Sequence, residues 1–282
     1  MGEKGAATTS LLPTLREASR FRYTCVLYAP AAKREALAAL HVFLSEIERV
    51  RDLVSEPLPG EIRLQWWRDV IAGIRSDEAR QSPAADALTG VVDRYGLSKD
   101  RFDAYLDAKT FDLYDDPMPT TADLEGFFGE TQSVFLQMAA QVLCDGDQLP
   151  DGNAAGHGGI AFGVTGALMD TAKHRARGQV YVPADLLSAQ SLDRDGFVSG
   201  EHEAACLAAL QQFAAFGLDH LSKWRSNMDS VPTAAKPAFM PLALCEPVLK
   251  RVAENPALAI AADLEPNPIA LQWHMFRFST RL

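Results

Sequence analysis

The sequence predicts an all-α protein, and three observations carry that prediction. Apolar residues recur at helical spacing along most of the 282-residue chain, no Val/Ile/Thr/Tyr run is bounded by hairpin residues, and Pro, Gly and Asp clusters punctuate the periodic stretches. With 48% hydrophobic and 23% charged residues, the composition is that of a packed globular protein.

After Pro30 a first helix is expected over 33–53, where Leu37, Leu40, Leu44 and Ile47 form one apolar stripe, with Pro57, Pro59 and Gly60 ending it. A second begins near Glu61, whose charge suits a helix N-terminus. It carries two stripes, Leu64, Trp67, Ile71 and Ile74, and Ile62, Trp66 and Val70, so it must be covered on most sides. Further helices are expected over 83–95, 98–112, 121–144, 153–176, 201–226, 236–254 and 266–279. Turn-formers separate them: Asp116-Pro117-Met118-Pro119, Asp145-Gly146-Asp147, Arg177-Gly178, Asp193-Arg194-Asp195-Gly196 and Glu265-Pro266. No low-complexity linker or internal repeat divides the chain, so residues 20–282 are expected to form a single helical domain behind a poorly ordered extension, 1–19.

Charge and cysteine usage narrow the function. Against 37 acidic residues stand 27 basic ones, a net charge of −10, which repels a phosphate backbone and argues against nucleic-acid binding. An anionic ligand must therefore meet a local basic cluster. Cys25, Cys144, Cys206 and Cys245 are single and widely spaced, unlike a disulfide framework or a zinc site. The opening residues lack the apolar stretch of a secretory signal, and no run of about 18 apolar residues occurs. The expectation is a cytoplasmic protein with no transmembrane segment, with peripheral contact at the inner face of the membrane left open.

Two helices carry candidate chemistry. In the first, His41, Ser45, Glu48 and Asp52 fall at spacings of four, three and four and share a face. Glu48 and Asp52 suit a Mg²⁺ that takes one or two carboxylates and substrate phosphates; they equally suit a solvated face paired with Arg49 or Arg51. In the second, Gly159, Gly163, Gly166, Asp170 and His174 succeed one another at four, three, four and four. Each helical glycine costs about 1 kcal/mol relative to Ala, so the stripe implies close approach of either another helix or a long apolar ligand. Lys173, His174, Arg175 and Arg177 then form a basic cluster that serves either the helix dipole or an anion. His157, His202, His220 and His274 are scattered, and no hydrolase or nucleotide-binding motif is present. Asp112, Asp115 and Asp116 read as turn residues.

These segments resemble the squalene and phytoene synthases, all-α head-to-head prenyl transferases. The resemblance covers about residues 20 to 200 and is strongest at Tyr23 to Pro30, Arg34 to Phe43, Glu61 to Arg68 and Arg177-Gly178-Gln179-Val180-Tyr181-Val182-Pro183. It implies an isoprenoid-synthase-type helical bundle with a central cavity. In active members two facing helices present Asp-x-x-x-Asp motifs, whose Mg²⁺ ions hold two prenyl diphosphates while the tails occupy an apolar tunnel. Here the first motif stands as Glu48-Arg49-Val50-Arg51-Asp52 and the second as Asp170-Thr171-Ala172-Lys173-His174. Imidazole is a poor ligand for Mg²⁺, which prefers oxygen. Gly163 and Gly166 replace the Gln and Asn usual on that helix.

Changes concentrated on ligand-bearing positions are the pattern of a fold kept without its chemistry. Thr131-Gln132-Ser133 and Val54-Ser55-Glu56-Pro57 make the chain similar to the branch that holds the mitochondrial complex I assembly factor, whose motifs are likewise degenerate. The resemblance thus implies a non-catalytic assembly or lipid-binding protein, with respiratory complex subunits and a prenyl or other lipid as partners. The alternative is an active Mg²⁺-dependent prenyl transferase of terpenoid biosynthesis using Glu48, Asp52 and Asp170 as metal ligands. In either case His41, Ser45, Gly163, Gly166, Lys173, His174, Arg175 and Arg177 are the candidate ligand-binding residues.

Overall fold

Helical periodicity becomes helices throughout the computed structural model, which describes residues 10–114, 118–262, 264 and 266–282; among these no strand forms. The order begins α1 (Leu12–Ala18), α2 (Arg20–Leu27), α3 (Arg34–Glu48), α4 (Val50–Leu53), α5 (Pro57–Ala72), α6 (Ser76–Ala79), α7 (Pro83–Tyr95) and α8 (Lys99–Phe111). It continues with α9 (Thr121–Phe128), α10 (Val134–Leu143), α11 (Asn153–Met169), α12 (Thr171–Ala176), α13 (Ala184–Ser188) and α14 (Arg194–Ser199). The last are α15 (Glu203–Ser226), α16 (Cys245–Glu254), α17 (Ala257–Ile260) and α18 (Pro268–Ser279).

The expected helices form, with breaks and shifted ends. The 33–53 helix divides at Arg49, where the Asp52 N–H bonds the Arg49 carbonyl at 3.0 Å and tightens the turn. Pro57 opens α5 instead of ending the preceding helix, because proline at the first helical position gives up an N–H that has no helical partner anyway. Residues 121–144 are interrupted by a π-helical turn, Gly129–Ser133. In 236–254 the first half is a 3₁₀ segment, Thr233–Leu244, since Pro237 and Pro241 cannot donate to an α-helical ladder. The 153–176 helix breaks at Asp170 (φ −96°, ψ 11°).

One expectation about the chain's start is corrected. Residues 12–18 are helical, and Leu11 and Leu15, 3% and 0% exposed, belong to the main core, so the packed body already includes residue 11. Residues 1–9, and Asp115 and Asp116 of the turn cluster, lie outside the described residues.

The whole is one all-α domain around a continuous apolar core. Its axis is α11, buried on nearly all sides by α9, α10, α15 and α16. Opposite, α3 packs on α7 and α10, and α5 on α7 and α8. Phe43 of α3 anchors that half, edge-on to Trp67 at 5.1 Å and Phe102 at 5.5 Å. Each such fully buried side chain contributes roughly 1.5–3 kcal/mol. The ends of α3 and α11 thereby come to face each other across a cavity.

Candidate functional site

The cavity has a volume of about 450 Å³ and brings together most of the residues singled out from the sequence: Ser45, Glu48 and Asp52 from one side, Gly163, Gly166, Asp170, Lys173, His174 and Arg177 from the other. Two candidates do not line it. His41 faces the core at 5% exposure, its ring edge-on to Phe135 at 4.8 Å. Arg175 turns toward α14, donating to the Val198 carbonyl at 3.2 Å and lying over the Phe197 ring. His41 shares the stripe of Ser45 but lies one turn deeper in α3, whereas Arg175, two positions after Lys173, projects from the other side of its helix.

Side-chain cations take the carboxylate oxygens of the first motif. Arg22 donates to both oxygens of Glu48 at 2.7 and 2.6 Å while its other Nη bonds Ser45 Oγ at 3.0 Å. Asp52 accepts from Lys173 Nζ at 2.7 Å and from Arg177 Nη1 at 2.5 Å, one oxygen for each. Burial would raise the Asp52 carboxyl, but the hydrogen bonds and charges of these two cations outweigh it and hold it below the ordinary range. The two motif helices are thus joined by direct ion pairs. Six Lys and Arg side chains line the cavity against four Asp and Glu, leaving two positive charges there in a chain of net charge −10.

His174 is neutral at pH 7: burial, opposed by Asp112 and reinforced by Lys173, Arg177 and Lys109, brings its imidazole down to about 4. Its ring rests on Tyr181 at 4.7 Å. Behind it lies a layer that sequence reading missed. Tyr181 donates its hydroxyl to Asp112, which also pairs with Lys109 at 3.2 Å and receives Gln179 Nε2 at 3.3 Å. Asp112 is thus an anchoring group as well as a turn residue. Tyr181 and Gln179 stand in a stretch that carried the resemblance, which was the available signal; Arg22 stands one residue before another.

The glycine stripe resolves into two uses. A Cβ on Gly159 would meet the Ser133 backbone at 2.4 Å and one on Gly163 the Phe128 ring at 2.3 Å, so both are sites of close packing against α9 and the π turn. Gly166 faces open space. Phe128, packed on Gly163, lines the cavity together with Phe127 and Phe162. Gln132, projected by the π turn, also lines the cavity.

This donor set fits a magnesium cage poorly. Glu48 and Asp52 already bind cations, and His174 offers nitrogen where the hard ion requires oxygen. Among the described residues no three His, Cys, Asp or Glu side chains converge to hold a metal. Lys173, Arg177 and Arg22 line the same cavity as the aromatic rings of Phe127, Phe128 and Phe162.

Elsewhere, the structure joins two of the scattered histidines. His157 Nδ1 and His220 Nδ1 lie 3.1 Å apart, and His220 Nε2 lies 3.2 Å from Glu125. They do not line the cavity.

The chain belongs to the squalene/phytoene synthase family, whose sequence pattern it matches over residues 15–277. It is 29% identical over 267 residues to a Bos taurus protein named NADH dehydrogenase (ubiquinone) complex I, assembly factor 6, covering 93% of this chain and 80% of the relative. The Homo sapiens protein of that name is 30% identical over 241 residues, covering 86% and 72%. Among solved structures, the squalene synthase HpnC from Alicyclobacillus acidocaldarius superimposes with a TM-score of 0.68 at 16% identity, covering 86% of this chain and 93% of that one. A dehydrosqualene synthase in complex with ligand gives 0.69 at 14% identity, covering 96% and 94%. The isoprenoid-synthase-type bundle is thus the fold of this chain. Among the described residues no helix is long and apolar enough to cross a membrane.

Proposed function

We propose that this chain is a non-catalytic member of its family that assists the assembly of respiratory complex I, working at the cytoplasmic face of a membrane. In this reading the old prenyl site binds one lipid, prenyl or other, by its anionic head and without magnesium. The observation that carries it is the Asp52 clamp: Lys173 and Arg177 occupy the oxygens that a bridging Mg²⁺ would need. Leaving diphosphate would then lack the metal charge that neutralises it in a transferase. The names borne by the relatives support the assembly role.

Incubation with farnesyl or geranylgeranyl diphosphate and Mg²⁺ should release no diphosphate. Release that disappears in Glu48→Ala or Asp170→Ala would establish the transferase instead. In the organism that makes the protein, both variants should restore complex I activity to a strain lacking the chain. Solvent extraction of the purified protein, followed by mass spectrometry, should recover a lipid with an acidic head; an empty extract would overturn the lipid part of the reading.

A further inference from the structure

Helix α18 is apolar on both sides. Its inner side, with Leu271, Met275 and Phe278, packs with Cys25, Met240 and Ala243 in a small core cluster of its own. Its outer side carries Ile269, Trp273 and Phe276, which are 83%, 57% and 55% exposed. At 3.6 residues per turn these three fall within roughly 60° of arc, opposite the core side. Trp273 and Phe276 stack on each other with ring centroids 6.1 Å apart. A surface helix of a soluble body normally turns polar residues outward, so a second apolar face calls for a second apolar surface to cover it.

The charge around that face identifies the surface. Residues 266–282 contain Arg277 and Arg281 and no Asp or Glu, in a chain with ten more acidic than basic residues. Both arginines are exposed, Arg277 on the flank of the apolar stripe and Arg281 just past the end of α18. Arg281 lies near Glu246, which is shared by Arg225 and Lys250 at 2.7 Å each, so three cations gather around one carboxylate. Trp and Phe flanked by Arg is the pattern of a helix lying in the headgroup region of an anionic bilayer.

We infer that the outer face of α18 docks this protein on a membrane rich in anionic phospholipid, with Ile269, Trp273 and Phe276 entering the acyl boundary and Arg277 and Arg281 meeting headgroups. The choice of a bilayer rests on the membrane-side reading above; the surface itself stands on the exposure and charge of α18. The docking also brings the cavity near its source of lipid. Phe21 packs in the cluster that seats α18 and lines the cavity as well.

Co-sedimentation of the full chain with vesicles of phosphatidylcholine plus phosphatidylglycerol tests this. The wild type should bind these vesicles, bind phosphatidylcholine alone far less, and lose binding as salt rises. The double variant Trp273→Glu, Phe276→Glu should bind about tenfold more weakly, since two aromatic groups leave the acyl boundary. Arg277→Gln with Arg281→Gln should abolish the preference for phosphatidylglycerol. Unchanged thermal melting would show the variants folded, which more than half exposure of both aromatic rings leads us to expect. Equal vesicle binding by wild type and double variant would overturn the proposal, as would a concentration-dependent dimer that Trp273→Glu dissolves, which would assign the face to a second copy. None of these outcomes depends on lipid in the cavity, so the cavity reading can fail separately.

Discussion

His41 shows how much a single residue's meaning depends on what surrounds it. On the sequence it shares a stripe with Ser45, Glu48 and Asp52; in the structure its imidazole is buried, Nδ1 finds no hydrogen-bond partner, and burial together with Arg22 brings its pKa down to about 3. Unfolded, the same ring takes up a proton near pH 6.5. The unfolded chain therefore binds more protons between these values, and stability falls as pH drops below about 6.5. By linkage, His41 alone accounts for about 2 kcal/mol of loss between pH 7 and 5. His41→Leu should shrink the difference in denaturation midpoint between those pH values, read by urea titration at each. The cavity carboxylates were legible because paired acids at helical spacing are conspicuous in an apolar helix. Arg22, which holds Glu48, was not, because an ion pair across 26 positions leaves no trace in local periodicity.

At the scale of the element, α11 sorts its glycines by what lies against them. Gly159→Ala would press a methyl into the backbone of Ser133, which cannot withdraw as a side chain can, at a cost of about 3 kcal/mol. Gly166→Ala meets nothing within 4 Å and should stabilise the helix by up to about 1 kcal/mol. Chemical denaturation of the two variants checks the contrast; equal effects would refute the packing described here. Sequence periodicity located α7, α8, α15 and α18 closely, because Pro, Gly and Ser mark their ends. It ran the helices through Arg49, the π turn and Asp170 because what meets at these breaks is distant in sequence: the π turn packs Ser133 on Gly159, and Lys173 of α12 reaches Asp52 of α4. The short helices α13 and α14 lacked enough turns to show a period at all.

The whole molecule places a local surplus of positive charge inside an acidic body, and ligand linkage follows from it. Inorganic diphosphate should raise the melting temperature without Mg²⁺, the equivalent of about 2.7 kcal/mol at a hundredfold excess over its dissociation constant. Mg²⁺ alone should not, and a shift that requires the metal would point back to a working cage. The architecture was readable because one contiguous helical core needs only the 3.6-residue pattern and its punctuation. The interior electrostatics were not, since net charge conceals where the minority sign collects. Phe128, lying on Gly163, helps set the room the cavity offers to the proposed guest. With that ring in place, 450 Å³ is room for a single small ligand. A head-to-head condensation brings two prenyl chains together; calorimetric titration with an acidic isoprenoid should instead saturate at one equivalent, a berth for a lone passenger.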